Sequence, residues 1–135
     1  MSRKNLNRLP IYRKAINLCL LSREIAAFVS HNKNLLELYK SNSLRDHIAD
    51  ALLTDAILIT QKIELVESSQ SYSVRIHSAN FIHIMTQNIL SYCKGLEMDG
   101  VKEKEYLNLL LKEIKVFRKS FKSWRLSLGS NGLDS

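Results

Sequence analysis

A chain of 135 residues with 45% apolar residues is long enough for one domain that buries roughly two-thirds of its unfolded surface. One proline and four glycines leave few breakers to interrupt long helices, and no apolar run approaches membrane-spanning length. The formal charge of +7 is segregated: residues 1–14 carry five bases and no acid, residues 112–125 carry six bases against Glu113, and residues 15–111 hold nine bases against eleven acids. Basic ends of that kind are the usual footprint of a nucleic acid or an acidic partner.

The first eight residues read as a basic arm. Pro10 suits the first turn of a helix, where its missing N–H costs nothing, and that helix is expected to reach about Ser30. Ile11, Leu18, Leu21, Ile25 and Phe28 form one apolar stripe on it, and Tyr12, Ile16, Cys19, Leu20 and Ala27 form a second on the opposite side, with Arg23 in its middle. A polar connector over residues 31–43 has room for a helical turn around Leu35, Leu36, Leu38 and Tyr39.

The second long helix is expected over Leu44 to Glu67. Its stripe is Leu44, Ile48, Ala51, Leu52, Ile59, Ile63 and Val66, with Asp55 near the centre; Asp46, Asp50 and Glu64 mark the opposite face, interrupted by Leu53 and Ile57. The Ser68-Ser69-Gln70-Ser71 run breaks it, because serines compete with the helix for backbone hydrogen bonds. A third helix follows from Tyr72 to Leu96, with Val74, Phe81, Ile82, Met85, Ile89, Tyr92 and Leu96 on one side, and Met98-Asp99-Gly100 is a tight turn.

The last helix carries the clearest pattern. Leu107, Leu110, Ile114, Phe117, Phe121, Trp124 and Leu128 recur at spacings of three and four and so share one face. Lys112, Lys115, Lys119 and Lys122 fall within a neighbouring arc of about 80° that holds no acid. Gly129 is the expected stop, with residues 130–135 a disordered tail. Nothing alternates with period two long enough for a strand. The fold class is therefore all-α, an antiparallel up-down four-helix bundle over residues 9–129. Second apolar faces on the first two long helices, at Tyr12, Ile16 and Leu20 or at Leu53 and Ile57, are surplus to one core and point to a homo-oligomer.

Few residues look chemical. Asp55 on an apolar stripe needs a partner, and Arg23 or Arg75 is available to form a structural ion pair. His31, His47, His77 and His83 have no chelating spacing, Cys19 and Cys93 have no CxxC neighbour and read as free thiols in a reducing cytosol, and no nucleophile or phosphate-loop motif is present. The expectation is a soluble, cytoplasmic, non-enzymatic protein without cofactor or metal. The candidate nucleic-acid-binding residues are Arg3, Lys4, Arg8, Arg13 and Lys14 at one end, and Lys112, Lys115, Arg118, Lys119, Lys122 and Arg125 at the other. Phe117, Phe121 and Trp124 keep to the apolar seam and read as core rather than as stacking platforms.

Three segments carry a resemblance. Leu9-Pro10-Ile11-Tyr12-Arg13-Lys14-Ala15, the Ile59 to Glu67 stretch, and Leu96-Glu97-Met98-Asp99-Gly100 leading into Glu105-Tyr106-Leu107 and the Phe117 to Trp124 segment resemble the four-helix-bundle family of 23S rRNA intervening-sequence proteins. The accessory variability proteins of diversity-generating retroelements belong to the same family. The resemblance implies a compact antiparallel bundle that assembles into a ring, typically a pentamer. Its retroelement branch implies a basic protein that binds DNA or RNA and a reverse transcriptase. A structural bundle that binds an acidic protein partner remains the alternative, and a regulatory, antitoxin-like helical protein is a third.

Overall fold

A computed structural model describes the backbone over residues 3–133 and the side chains over residues 5–128 apart from Leu35. Every regular element among the described residues is a helix, with no strand: α1 (Arg3–Leu6), α2 (Pro10–Val29), α3 (Leu35–Lys40), α4 (Leu44–Ser68), α5 (Tyr72–Met98) and α6 (Lys104–Leu133). Pro10 opens α2 as expected. The connector contains α3, closed at its start by a reciprocal capping box in which Asn34 Oδ1 accepts from Glu37 N–H and Glu37 Oε1 accepts from Asn34 N–H. α6 continues past Gly129 to Leu133, beyond the expected stop. Asp134 and Ser135 of the expected tail lie outside the described residues.

The long helices surround a shared core. α2 packs on α4 and α6, α4 on α5, and α5 on α6, while α3 lies against α4. All seven residues of the α6 seam are buried. Each such side chain is worth about 1.5–3 kcal/mol when removed from water, so the seam dictates the rotation of α6 about its own axis.

On α4 and α5 the buried face is offset from the expected stripe, although Leu52, Ile59, Ile63 and Val66 of α4 and Ile82, Met85, Ile89 and Leu96 of α5 are buried as expected. On α4 the buried stripe is Ala49, Leu52, Ala56, Ile59, Ile63 and Val66, whereas Leu44 is exposed and Ile48, Ala51 and Asp55 are half-buried. On α5, Ser78, Ala79, Thr86 and Cys93 join the core while Val74 and Phe81 face outward. The reason is the same in both. Small residues let helices approach closely, and burial of a hydroxyl costs little when it donates to its own backbone, as Thr86 Oγ1 does to the Ile82 carbonyl at 2.8 Å. Gly95 marks one such approach, for a Cβ there would stand 2.9 Å from Cδ1 of Ile48. Tyr12, expected on a spare apolar face, is instead buried and donates to Glu64 Oε1 at 2.9 Å, tying α2 to α4.

Two polar clamps fix the α4 N-terminus. Arg45 donates from Nε to Asp99 Oδ2 and from Nη2 to the Asp99 carbonyl, both at 2.9 Å, which locks the turn after α5. Gly100 completes that turn in the left-handed region, at φ 88°. Asp46, expected on a solvated face, is only 2% exposed. Its Oδ2 receives Lys33 Nζ at 2.8 Å and the Ser41 hydroxyl at 2.7 Å, so it draws the connector onto the end of α4. Hydrogen bonds from Lys33 and Ser41 hold its carboxyl below the usual carboxylate value.

A depressed carboxylate contributes stability above its unfolded pKa and loses it as pH falls through the lower folded one. Thermal melts should therefore weaken below about pH 4. Asp46→Asn should flatten that acid dependence and cost about 1–3 kcal/mol at neutral pH, since it removes a charge-assisted bond from a buried site. An unchanged melting profile in the variant would show that Asp46 does not anchor the connector.

Candidate nucleic-acid interface

With its seam buried, α6 must turn its lysine arc outward. Lys112, Lys115, Lys119 and Lys122 are all exposed, as is Arg118, and Arg125 is half-buried beside them. Among the described residues none of these six pairs with a carboxylate. Arg125 donates from Nη2 to Asn80 Oδ1 of α5, which fixes its guanidinium at the rim between the two helices. The arc is thus a run of uncompensated cations on a rigid support.

Beside it runs the seam between α5 and α6, which holds two successive concavities. One, of about 700 Å³, is lined by Ile76, His83 and Thr86 of α5 and by Arg118, Lys119, Phe121, Lys122, Arg125 and Leu126 of α6. The second, of about 390 Å³, includes Lys94, Glu97, Lys104 and Asn108 around Leu90, Leu107 and Leu111. The two mark an interrupted furrow whose lining residues span Lys104 to Leu126, about 33 Å along α6 at 1.5 Å per helical residue, with none from residues 112–117. Six bases and the single acid Glu97 line it. Lys94 and Lys104 were missing from the sequence-derived set. Lys94 joins through the face that α5 turns to α6, and Lys104 lies opposite it at the start of α6.

The other basic end begins beside it. Leu9, Pro10 and Ile11 line a concavity with Lys119, Ser120, Ser123 and Trp124, which puts the start of α2 beside the cationic part of α6. Arg13, however, folds back on the arm: Nη1 donates to the carbonyls of Asn7 at 3.3 Å and Arg8 at 3.2 Å. Together with Lys14 it lines a separate hollow bounded by Asn7, Tyr12, Ile16 and Asn17. Arg8 is exposed. The side chains of Arg3 and Lys4 lie outside the described residues.

The expected ion pair of Asp55 is not formed. Asp55 Oδ2 accepts from the Tyr92 hydroxyl at 2.7 Å and from Asn88 Nδ2 at 3.5 Å, both on α5. Arg23 is exposed, and Arg75 is half-buried with its Nε lacking a hydrogen-bond partner. Because Asp55 sits half-buried at the edge of the α4–α5 contact, these neutral donors serve it without a counter-charge. Burial first, and then the adjacent Asp55 carboxylate, keep the Tyr92 phenol protonated well above its ordinary range.

Other chemistry is sparse. Among the described residues no group of three His, Cys, Asp or Glu side chains could hold a metal ion. Burial pushes the Cys93 thiol up to about 11 and raises Cys19 as well, so neither is a thiolate at neutral pH. No described helix is long and apolar enough to cross a membrane. No family model, curated protein or solved structure matches the chain.

The Asp55 geometry makes a distinct stability prediction. Tyr92→Phe should cost about 1 kcal/mol, the net worth of one hydrogen bond. Asp55→Ala should cost about 1–2 kcal/mol by the same reasoning, well under the 3–5 kcal/mol of a broken buried ion pair. Urea titration of both variants checks this; a loss above about 3 kcal/mol for Asp55→Ala would mean that a stranded cation is involved.

Proposed function

We propose that the protein is a non-enzymatic nucleic-acid-binding accessory protein. The observation that carries the reading is the exposed, uncompensated arc of Lys112, Lys115, Lys119 and Lys122 with Arg118, backed by a buried seam that prevents α6 from turning it away. Cations so placed bind phosphate without reading sequence. In this reading the four long helices form an antiparallel up-down bundle, supported by their cyclic packing and by the short links between α4, α5 and α6. The resemblance to accessory variability proteins favours a cytoplasmic partner of a reverse transcriptase.

Assembly into a homo-oligomeric ring belongs to the same proposal. Leu20 is 51% exposed, and Ile16, Leu53 and Ile57 are half-buried on the α2 and α4 faces away from the lysine arc. Tyr12 is excluded from that interface by its own burial. Light scattering at micromolar concentration should give a multimer that Leu20→Asp with Ile57→Asp dissociates; a monomeric parent chain would remove the ring.

Replacing Lys115, Lys119 and Lys122 with Glu should abolish binding to single- and double-stranded nucleic acid while circular dichroism stays unchanged, because the arc is solvated. In the parent protein, log affinity should fall linearly with log salt, and each lost phosphate contact should flatten the slope by roughly one unit. Affinity that survives the triple change, or that ignores salt, would instead favour a structural bundle with an acidic protein partner.

A further inference from the structure

A polyanion surface needs only exposed charge, yet the α5–α6 furrow also has an apolar floor. Phe121 is 5% exposed and lies at its base, with the His83 imidazole across from it at a centroid separation of 6.5 Å and an interplanar angle of 15°. Ile76 and Leu126 extend the apolar lining, and Leu126 is 70% exposed. Around this floor stand Arg118, Lys119, Lys122 and Arg125, with no acid in the same concavity. Its volume of about 700 Å³ falls in the range of small-ligand clefts.

A duplex does not exploit such a site. Its bases are stacked inward, and its phosphates would meet the rim while the apolar floor stayed empty. A single strand can splay a base into the cleft, lay it against an aromatic or apolar side chain, and leave its phosphates to the guanidinium and ammonium groups at the edge. Stacking of this kind tolerates any base, because every base has a π-face.

Resting on the nucleic-acid reading above, we propose that the His83–Phe121 cleft of the α5–α6 furrow takes an unpaired base, making single-stranded nucleic acid the preferred ligand. His83 provides the accessible aromatic surface and Leu126 the lip, while Arg118, Lys122 and Arg125 hold the flanking phosphates. Asn80 contributes indirectly, as the acceptor that orients Arg125.

The test compares a labelled twelve-nucleotide oligothymidine with a duplex of the same length at physiological salt, by fluorescence anisotropy. The single strand should bind at least tenfold more tightly. His83→Ala should lower single-strand affinity about tenfold, in keeping with the loss of one stacked base, and leave duplex affinity unchanged. His83→Phe should restore it, and Leu126→Asp should weaken it in the same selective way. Equal affinity for strand and duplex, or an equal loss of both in His83→Ala, overturns the proposal. So does polyglutamate that competes as well as the oligonucleotide, which would assign the cleft to an acidic protein. If the Lys115, Lys119 and Lys122 replacements abolish binding while His83→Ala changes nothing, the nucleic-acid function stands and the base cleft falls.

Discussion

The burial of one helical face of α6 governs the rest of the molecule's surface chemistry. Seven side chains from Leu107 to Leu128 are removed from water along that face, each contributing about 1.5–3 kcal/mol. An exposed ion pair is worth at most about 1 kcal/mol. No plausible set of surface attractions could therefore rotate α6 to hide its lysines, and the cationic arc is a consequence of the core. Among the described residues none of these cations is paired with a carboxylate. A surface of this kind is stable only in a fold whose interior already specifies it.

The furrow arises from the same constraint acting on two helices. Once Phe117 and Phe121 face inward, the adjoining flank of α6, with Arg118, Lys122 and Arg125, lies along α5. On α5, Thr86 enters the core with its hydroxyl satisfied by its own helix, and His83 and Ile76 fall at the edge of the contact. Cations thus stand over an apolar floor because the boundary between core and solvent runs along this seam. At the N-terminal end of α4, Asp46 and Arg45 secure the connector and the turn after α5, and among the described residues that line the two α5–α6 concavities Glu97 is the one acid.

What could be read from the sequence depended on the size of the side chains that define each face. The α6 seam is built from Leu, Ile, Phe and Trp at regular spacing, so both its phase and the position of the lysine arc were legible. α4 and α5 bury Ala49, Ala56, Ser78, Ala79 and Thr86, residues that carry little hydrophobic weight and whose burial follows from how closely the neighbours approach. Their buried faces are therefore offset from the large apolar residues: Asp55 lies at the edge of the α4–α5 contact, Asp46 is buried, and Lys94 of α5 joins the basic surface. The anchoring role of Lys33 and Ser41 was illegible too, because it depends on the path of a connector whose geometry is set by the Asn34–Glu37 box and the left-handed His31 and Asn32. The break at Ser68 to Ser71 and the turn at Met98 to Gly100 were plain, since local backbone chemistry alone decides them.

If the proposed function holds, nucleic acid meets the arc and furrow of α6 rather than basic residues at large, and lysine footprinting distinguishes the two. The protein is treated with limiting acetic anhydride, with and without saturating oligonucleotide, and each lysine is followed by mass spectrometry. Lys115, Lys119 and Lys122 should be strongly protected, Lys94 and Lys104 protected along the furrow, and Lys40 and Lys62 on α3 and α4 labelled as in the free protein. Uniform weak protection of all lysines, or protection concentrated at Lys40 and Lys62, would contradict it.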